Sequence, residues 1–231
     1  MPILARNKMK LTILCSILLL SLVALFEPLA SASPASLDGL INSIQKRHEA
    51  NSRLTGNFTQ IAYLKQHNRK NISTGRVYLK KPGKMRWEYK APEEEVIVSD
   101  GKILWFYSSL DGQVIRRKLK DAVAPDSPYN FLMGKGDIRK IFDISPAKPE
   151  WGTETLIYLS LVPKKGESNV AKIIIGVNRE NFQVEETDIM DHLGNSTRVI
   201  ISAVDREGEI PDKTFNFIPP EDVEVIEDNR D

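Results

Sequence analysis

Acid–base or metal chemistry in this chain would have to come from His48, His67 and His192, or from the carboxylate run Glu93, Glu94 and Glu95. The histidines are widely separated and fall in three different settings. None sits in an H-E-x-x-H arrangement, and no G-x-S-x-G nucleophile turn is present. His48 belongs to a helical stretch, His192 lies in the hairpin-turn sequence "DHLGN", and the glutamates read as a solvated strand entry rather than a metal site. The only cysteine, Cys15, lies within an apolar run near the N-terminus, which leaves the rest of the chain without a thiol nucleophile or a disulfide. No enzyme is expected, and no metal or cofactor is implied. The residues that stand out are apolar: "KKPGKMRWEYKAPEEEVIVSDGKILWFY", Lys80 to Tyr107, holds Trp87, Trp105 and further aromatics in a chain that is 7% aromatic.

The first residues read as an export signal. Arg6, Lys8 and Lys10 form a basic n-region, Leu11 to Phe26 is a predominantly apolar run with no charged residue, and Ala30-Ser31-Ala32 is an A-x-A cleavage site. Cleavage is expected after Ala32, giving a signal peptide over 1–32 and a single domain over 33–231. Roughly 200 residues then remain, enough for one domain with a substantial core. Cys15 follows Leu14 near the start of the apolar run, not its end, so lipid attachment is not expected. The whole chain has a formal net charge of +1. Removing three bases and Glu27 leaves it near neutrality, which gives no argument for nucleic acid.

The elements that must position the aromatics follow from periodicity. Leu37, Leu40, Ile41 and Ile44 occupy one face of an N-terminal helix. From Gly56 the pattern becomes short period-2 runs broken by Pro82-Gly83, Ala91-Pro92, Asp100-Gly101 and Asp111-Gly112, the signature of an antiparallel meander. Strands are expected near 56–65, 73–80, 84–90, 94–99, 103–108, 113–119, 154–162, 170–178, 181–190, 196–205 and 213–218. About eleven strands in sequence order predict a mainly β (α+β) fold, one large, strongly curved sheet or barrel. The stretch "APDSPYNFLMGKGDIRKIF" interrupts the rhythm with Pro125 and Pro128 and supplies an apolar helical insertion able to cover the open face of a curved sheet. Alternation sends Met85, Trp87 and Tyr89 to one face of their strand and Lys84, Arg86 and Glu88 to the other, whereas "ILWFY" (103–107) is apolar on both. On the pattern alone these aromatics read first as ordinary core. Tryptophan and tyrosine need partners for their polar atoms when buried, so their concentration in one hairpin pair adds to the case for the alternative, an apolar pocket with a few polar handles.

The segments "NFTQ" (57–60), "GRVYLKKPGKMRWEY" (75–89), "VSDGKILWFY" (98–107), "SPYNFLM" (127–133) and "FNFIPPEDVEV" (215–225), in this order, resemble the periplasmic outer-membrane lipoprotein carriers, the LolA-like chaperones. The resemblance implies one strongly curved, unclosed antiparallel sheet (an unclosed β-barrel) with helices covering its concave face, and a hydrophobic space between them that receives the acyl chains of lipoproteins. It also implies loading by an inner-membrane ABC-type release complex, which supplies the energy, and delivery to an outer-membrane LolB-like acceptor. The expected cargo-contacting residues are Leu79, Met85, Trp87, Tyr89, Trp105 and Tyr107. Tyr129, Phe131, Leu132 and Met133 are the expected lid. The family often places Arg before the hairpin proline as a latch. Here Lys81 holds that position, keeping the charge but losing the planar fork. The expected state is a soluble periplasmic monomer. The alternative is a periplasmic lipid- or lipoprotein-sensing regulatory module of the same fold.

Overall fold

The amphipathic stretch after Ser36 forms helix α1 (Leu37–Ala50), which buries Leu40, Ile41 and Ile44. Asp38 lies in its first turn and Arg47 and His48 in its last, charges that complement the helix dipole at both ends. The computed structural model describes residues 36–122, 136–164 and 169–228. The expected lid residues Tyr129, Phe131, Leu132 and Met133 lie outside the described residues.

The meander forms β1 (Arg53–Leu64), β2 (Arg69–Lys80), β3 (Lys84–Ala91), β4 (Glu95–Asp100), β5 (Ile103–Ser108) and β6 (Gln113–Lys118), followed by the short helix α2 (Leu119–Ala122). After the insertion come the one-turn helix α3 (Ile138–Ile141), then β7 (Phe142–Ala147), β8 (Leu156–Pro163), β9 (Val170–Asn178), β10 (Val184–Asp191), β11 (Ser196–Asp205) and β12 (Glu224–Glu227). All belong to one 12-stranded, curved and unclosed sheet in the order β12-β6-β5-β4-β3-β2-β1-β11-β10-β9-β8-β7. Neighbours along the chain are neighbours in the sheet except at two places. β1 pairs with β11, and β12 adds to β6 as the one parallel pair among the described strands of an otherwise antiparallel ladder.

Directly opposed residues on adjacent strands point to the same side, so the register identifies each face. On the α1 side, Leu159 and Leu161 of β8 and Ile173, Ile175 and Val177 of β9 join Phe142, Ile138 and the helix stripe in one buried cluster. The helix is fixed to the sheet's end by polar contacts as well. The Gln45 Oε1 accepts from the Ile138 N–H at 3.1 Å, and Arg139 donates to Asn42 at 2.7 Å. Asp137 caps α3 by accepting from the Arg139 N–H at 2.9 Å.

Two strands were not expected, and one expected strand does not form. β7 contains Pro146, which a sheet tolerates only where its missing N–H faces no partner, and β7 is an edge strand. β12 is a four-residue edge. The stretch 213–218 alternates like a strand but is not one: Asp212–Phe215 is a 3-10 turn, and the chain beyond it joins no ladder until Glu224. Alternation reports which side chains point inward, and here they do. Phe215 is buried, and Phe217 packs on Trp105, with ring centroids 5.8 Å apart. Pairing also needs a free edge, and this segment crosses a sheet face whose strands are already paired.

Candidate functional site

A cavity of about 300 Å³ lies between the C-terminal half of α1 and the middle of the sheet. Its apolar wall is built from Ile44 of α1, Leu54 of β1, Leu79 of β2, Met85 and Trp87 of β3, Ile189 of β10, and Val199 and Ile201 of β11, with Phe182 and Val184 at the β9–β10 turn. The register explains why these meet. Leu54 opposes Leu79, Leu79 opposes Met85, and Val77 opposes Trp87, so one row of side chains runs across three strands on the α1 side.

The floor beside this row depends on a glycine. Gly75 lies opposite both Phe58 and Tyr89. A Cβ there would collide first with the Glu88 carbonyl oxygen of the neighbouring strand and then with the Phe58 ring, 2.7 Å away, so the absent side chain lets both β3 and Phe58 lie close. Phe58 is buried and is held edge-on between Trp87 and Tyr89, with centroid distances of 4.9 and 4.8 Å. Tyr89 completes the group by donating its hydroxyl to Gln60 Oε1 at 3.0 Å. Burial raises the Tyr89 phenol above its ordinary pKa and nearby Glu95 adds to this, while the Gln60 hydrogen bond opposes it.

Of the expected cargo-contacting residues, Leu79, Met85 and Trp87 line the cavity together. Tyr89 shares their face but stands behind Phe58, off the cavity wall. Trp105 and Tyr107 are not brought to this site. Trp105 opposes Val98, and Val98 opposes Arg86, so they follow the face that Arg86 and Glu88 occupy. There Phe217 covers both, 5.8 and 6.2 Å between centroids, and the Arg116 guanidinium stands 5.2 Å over the Trp105 ring. The two-sided apolar strand 103–107 is explained by this cover. Its α1-side residues are Leu104 and Phe106, opposite Ser99 and Ile97.

Lys81, at the β2–β3 turn, joins the hairpin to the helix. Its Nζ donates to the His48 carbonyl oxygen at 2.6 Å, and its backbone N–H donates to the Ser52 carbonyl at 2.7 Å. The first contact satisfies an acceptor that the end of α1 leaves without an intrahelical partner. Burial lowers the Lys81 pKa, and Glu49 partly restores it. Gly83, with φ +70, makes the tight return that aims Lys81 back at the helix.

Sequence reasoning missed Phe182, Val199 and Ile201 and the cations Arg47, Arg53 and Arg206, all of which line the same cavity. "RVIISAV" is apolar on both faces, so alternation cannot assign Val199 or Ile201. Phe182 points inward from a turn at φ +56, for which the sequence gives no cue. His48 lines the cavity, whereas His67 and His192 belong to strand connections elsewhere. Among the described residues no cluster of His, Cys, Asp or Glu could hold a metal ion, and no helix is long and apolar enough to cross a membrane.

An open apolar cavity roofed by a helix on a curved sheet defines a protein that holds a ligand. The model of the family described as "Outer membrane lipoprotein carrier protein LolA" matches residues 49–218. The chain belongs to this family. It is similar to the outer-membrane lipoprotein carrier protein of Chromobacterium violaceum, 32% identical over 154 residues that cover 67% of this chain and 72% of that one. The protein of the same description from Nitrosospira multiformis is 31% identical over 186 residues, 80% and 87% of the two chains. The fold is also that of an uncharacterized conserved protein from Thermus thermophilus, with a TM-score of 0.51 at 12% identity over 83% of this chain and 98% of that one.

Proposed function

We propose that this protein carries lipoproteins by enclosing their acyl chains in the cavity beneath α1, without catalysis or a cofactor. The observation that carries the reading is the row Leu54, Leu79, Met85 and Trp87, which lies side by side on one face: Leu54 is buried in a small core with Phe58 and Val77, while Leu79, Met85 and Trp87 stay partly exposed and border open space. An acyl chain exposes about a dozen or more methylenes at about 0.8 kcal/mol each, so an unescorted chain in water is disfavoured by on the order of 10 kcal/mol. A carrier has to offset that and still let go. A partly exposed wall of flexible and aromatic side chains suits both demands better than a close-fitting pocket.

Export to the periplasm with cleavage after Ala32 fits this role, as do loading from an inner-membrane ABC-type complex and delivery to an outer-membrane LolB-like acceptor. Lys81 is the proposed latch between the β2–β3 turn and α1, and the segment containing Tyr129 to Met133 the proposed lid. The deciding experiment purifies the protein from its native periplasm, identifies bound proteins by mass spectrometry, and repeats this with Trp87→Glu. Acylated lipoproteins are expected on the wild type and depleted on a variant whose circular dichroism is unchanged. Wild-type protein free of acylated cargo, or a folded variant that retains it, rejects the reading.

A further inference from the structure

The cavity is apolar in its depth and basic at its rim. Among the described residues, Arg47, Arg53, Lys80, Lys81, Lys84 and Arg206 line it against a single lining carboxylate, Glu185. Most of these charges already have partners. Lys80 and Lys84 each hold an oxygen of Asp212 at 2.7 Å, Lys81 donates to the His48 carbonyl, and Glu185 accepts from Asn178 Nδ2 at 2.9 Å. Arg53 spends its Nε on the Arg206 carbonyl at 3.4 Å. Arg47 and Arg206 differ: the Nε of each is shielded from solvent and has no hydrogen-bond partner, and among the described residues neither forms an ion pair. They also repel each other. Burial first, then the Arg47 charge, lowers the Arg206 pKa, and Glu185 only partly opposes this.

A guanidinium does not shed its proton to relieve such a situation. Two half-buried like charges whose shielded Nε donors are idle, one at the end of α1 and one just after β11, are therefore unfavourable in the empty protein. An oxyanion accepting from both would relieve the desolvation and the repulsion together. The planar fork of arginine matches phosphate oxygens in particular. The anion also has a defined neighbour, because Leu79, Met85 and Trp87 continue from the rim into the apolar space.

We infer that Arg47 and Arg206 form a headgroup subsite, and that the cavity also takes an acyl ligand bearing a phosphate next to its chain. The inference rests on the acyl-binding reading of the cavity. It adds an anionic lipid to the ligands the protein takes: the phosphate seats between the two arginines while the chain lies on the Leu79–Met85–Trp87 row.

The test measures affinities of the full mature chain below the micelle concentration for four probes. These are palmitoyl lysophosphatidylglycerol, monopalmitoylglycerol as the uncharged analogue, palmitate, and inorganic phosphate. The wild type is expected to favour the lysophospholipid over the uncharged analogue by about tenfold, as charge-assisted hydrogen bonds allow. In the Arg47→Gln/Arg206→Gln double variant that ratio falls to near one, and in Arg47→Lys/Arg206→Lys it is intermediate, the charge being kept and the fork lost. The lysine pair keeps the inference testable if the glutamine pair unfolds, because removing the fork alone should still reduce the ratio measurably. A wild-type ratio near one overturns the inference, as does a ratio that survives in the folded glutamine variant. Palmitate bound as tightly as the lysophospholipid overturns the phosphate assignment, and inorganic phosphate bound as tightly overturns the lipid source. If no acyl probe binds, monopalmitoylglycerol included, the acyl reading of the cavity itself fails, an outcome distinct from acyl binding without preference.

Discussion

The α1 side of the sheet is finished in two ways. Over β7 to β9 it is sealed: Phe142, Leu161, Ile173 and Ile175 are each no more than 1% exposed beneath α1 and α3. Over β1 to β3 the side chains are no less apolar, yet Leu79, Met85 and Trp87 stay partly exposed around an open volume. Hydrophobicity therefore does not distinguish the two regions; completeness of packing does. Branched aliphatic side chains meet a helix on one side, while on the other an aromatic cluster braced by Phe58 leaves room beside it. The sealed region can carry the stability, which frees the open region to exchange its contacts.

The strongest way to break this comparison is to truncate one residue in each region. Phe142→Ala should lower unfolding stability by about 3–5 kcal/mol, since a fully enclosed ring leaves a cavity that cannot collapse. Met85→Ala should cost only about 1 kcal/mol, because part of its surface is already wet, but should weaken acyl binding measured with a fluorescent fatty-acyl probe. Equal losses in denaturant titrations would show that the open region is core after all. Next in size is Gly75→Ala, whose methyl group meets the Glu88 carbonyl oxygen and the Phe58 ring. It should destabilise by about 1–3 kcal/mol, and tryptophan emission should shift because Phe58 packs on Trp87.

Lys81→Met removes the donor to the His48 carbonyl and should cost about 0.5–1.5 kcal/mol. Hydrogen exchange should accelerate at the C-terminal end of α1, with Lys81→Arg giving a smaller change. Protection that does not change would separate the hairpin from the helix. The smallest effect concerns the turn that fastens the C-terminal segment to this hairpin. Hydrogen bonds from Lys80 and then Lys84 hold the Asp212 carboxyl at about 2, below its ordinary 3.8. A depressed folded-state pKa means the stabilisation is complete above pH 3.8 and is lost as pH falls toward about 2. The melting-temperature gap between wild type and Asp212→Asn should be constant near neutrality and close over that window. A gap that persists at pH 2 would assign the effect to something other than this charge.

Much of the fold was legible because turn residues punctuate it. Pro82-Gly83, Asp100-Gly101 and Asp111-Gly112 delimit β3 to β6, and the Leu37–Ile44 stripe marks α1. What escaped was at the edges, where pairing is weakly encoded: Pro146 masked β7, and β12 is too short and charged to signal itself. In the cavity, Met85 and Trp87 were legible because Lys84, Arg86 and Glu88 alternate with them. Trp105 and Tyr107 were not, because both faces of β5 are apolar and only the register through the Asp100-Gly101 hairpin decides which way they point. Arg47 and Arg206 carry no local signature. They meet only because β11 returns beside β1, a long-range pairing that local pattern does not contain.

That pairing also sets a schedule. β1, twelve residues long, gains β2 as soon as the first hairpin turns, but its other flank waits for β11. Everything between must be synthesised first, and pairing across so long a sequence separation is intrinsically slow. During that interval the longest available row of free amides and carbonyls is presented to whatever strand is near, including another nascent copy. The birth of this protein, more than its mature life, is when it most needs protection from its own kind.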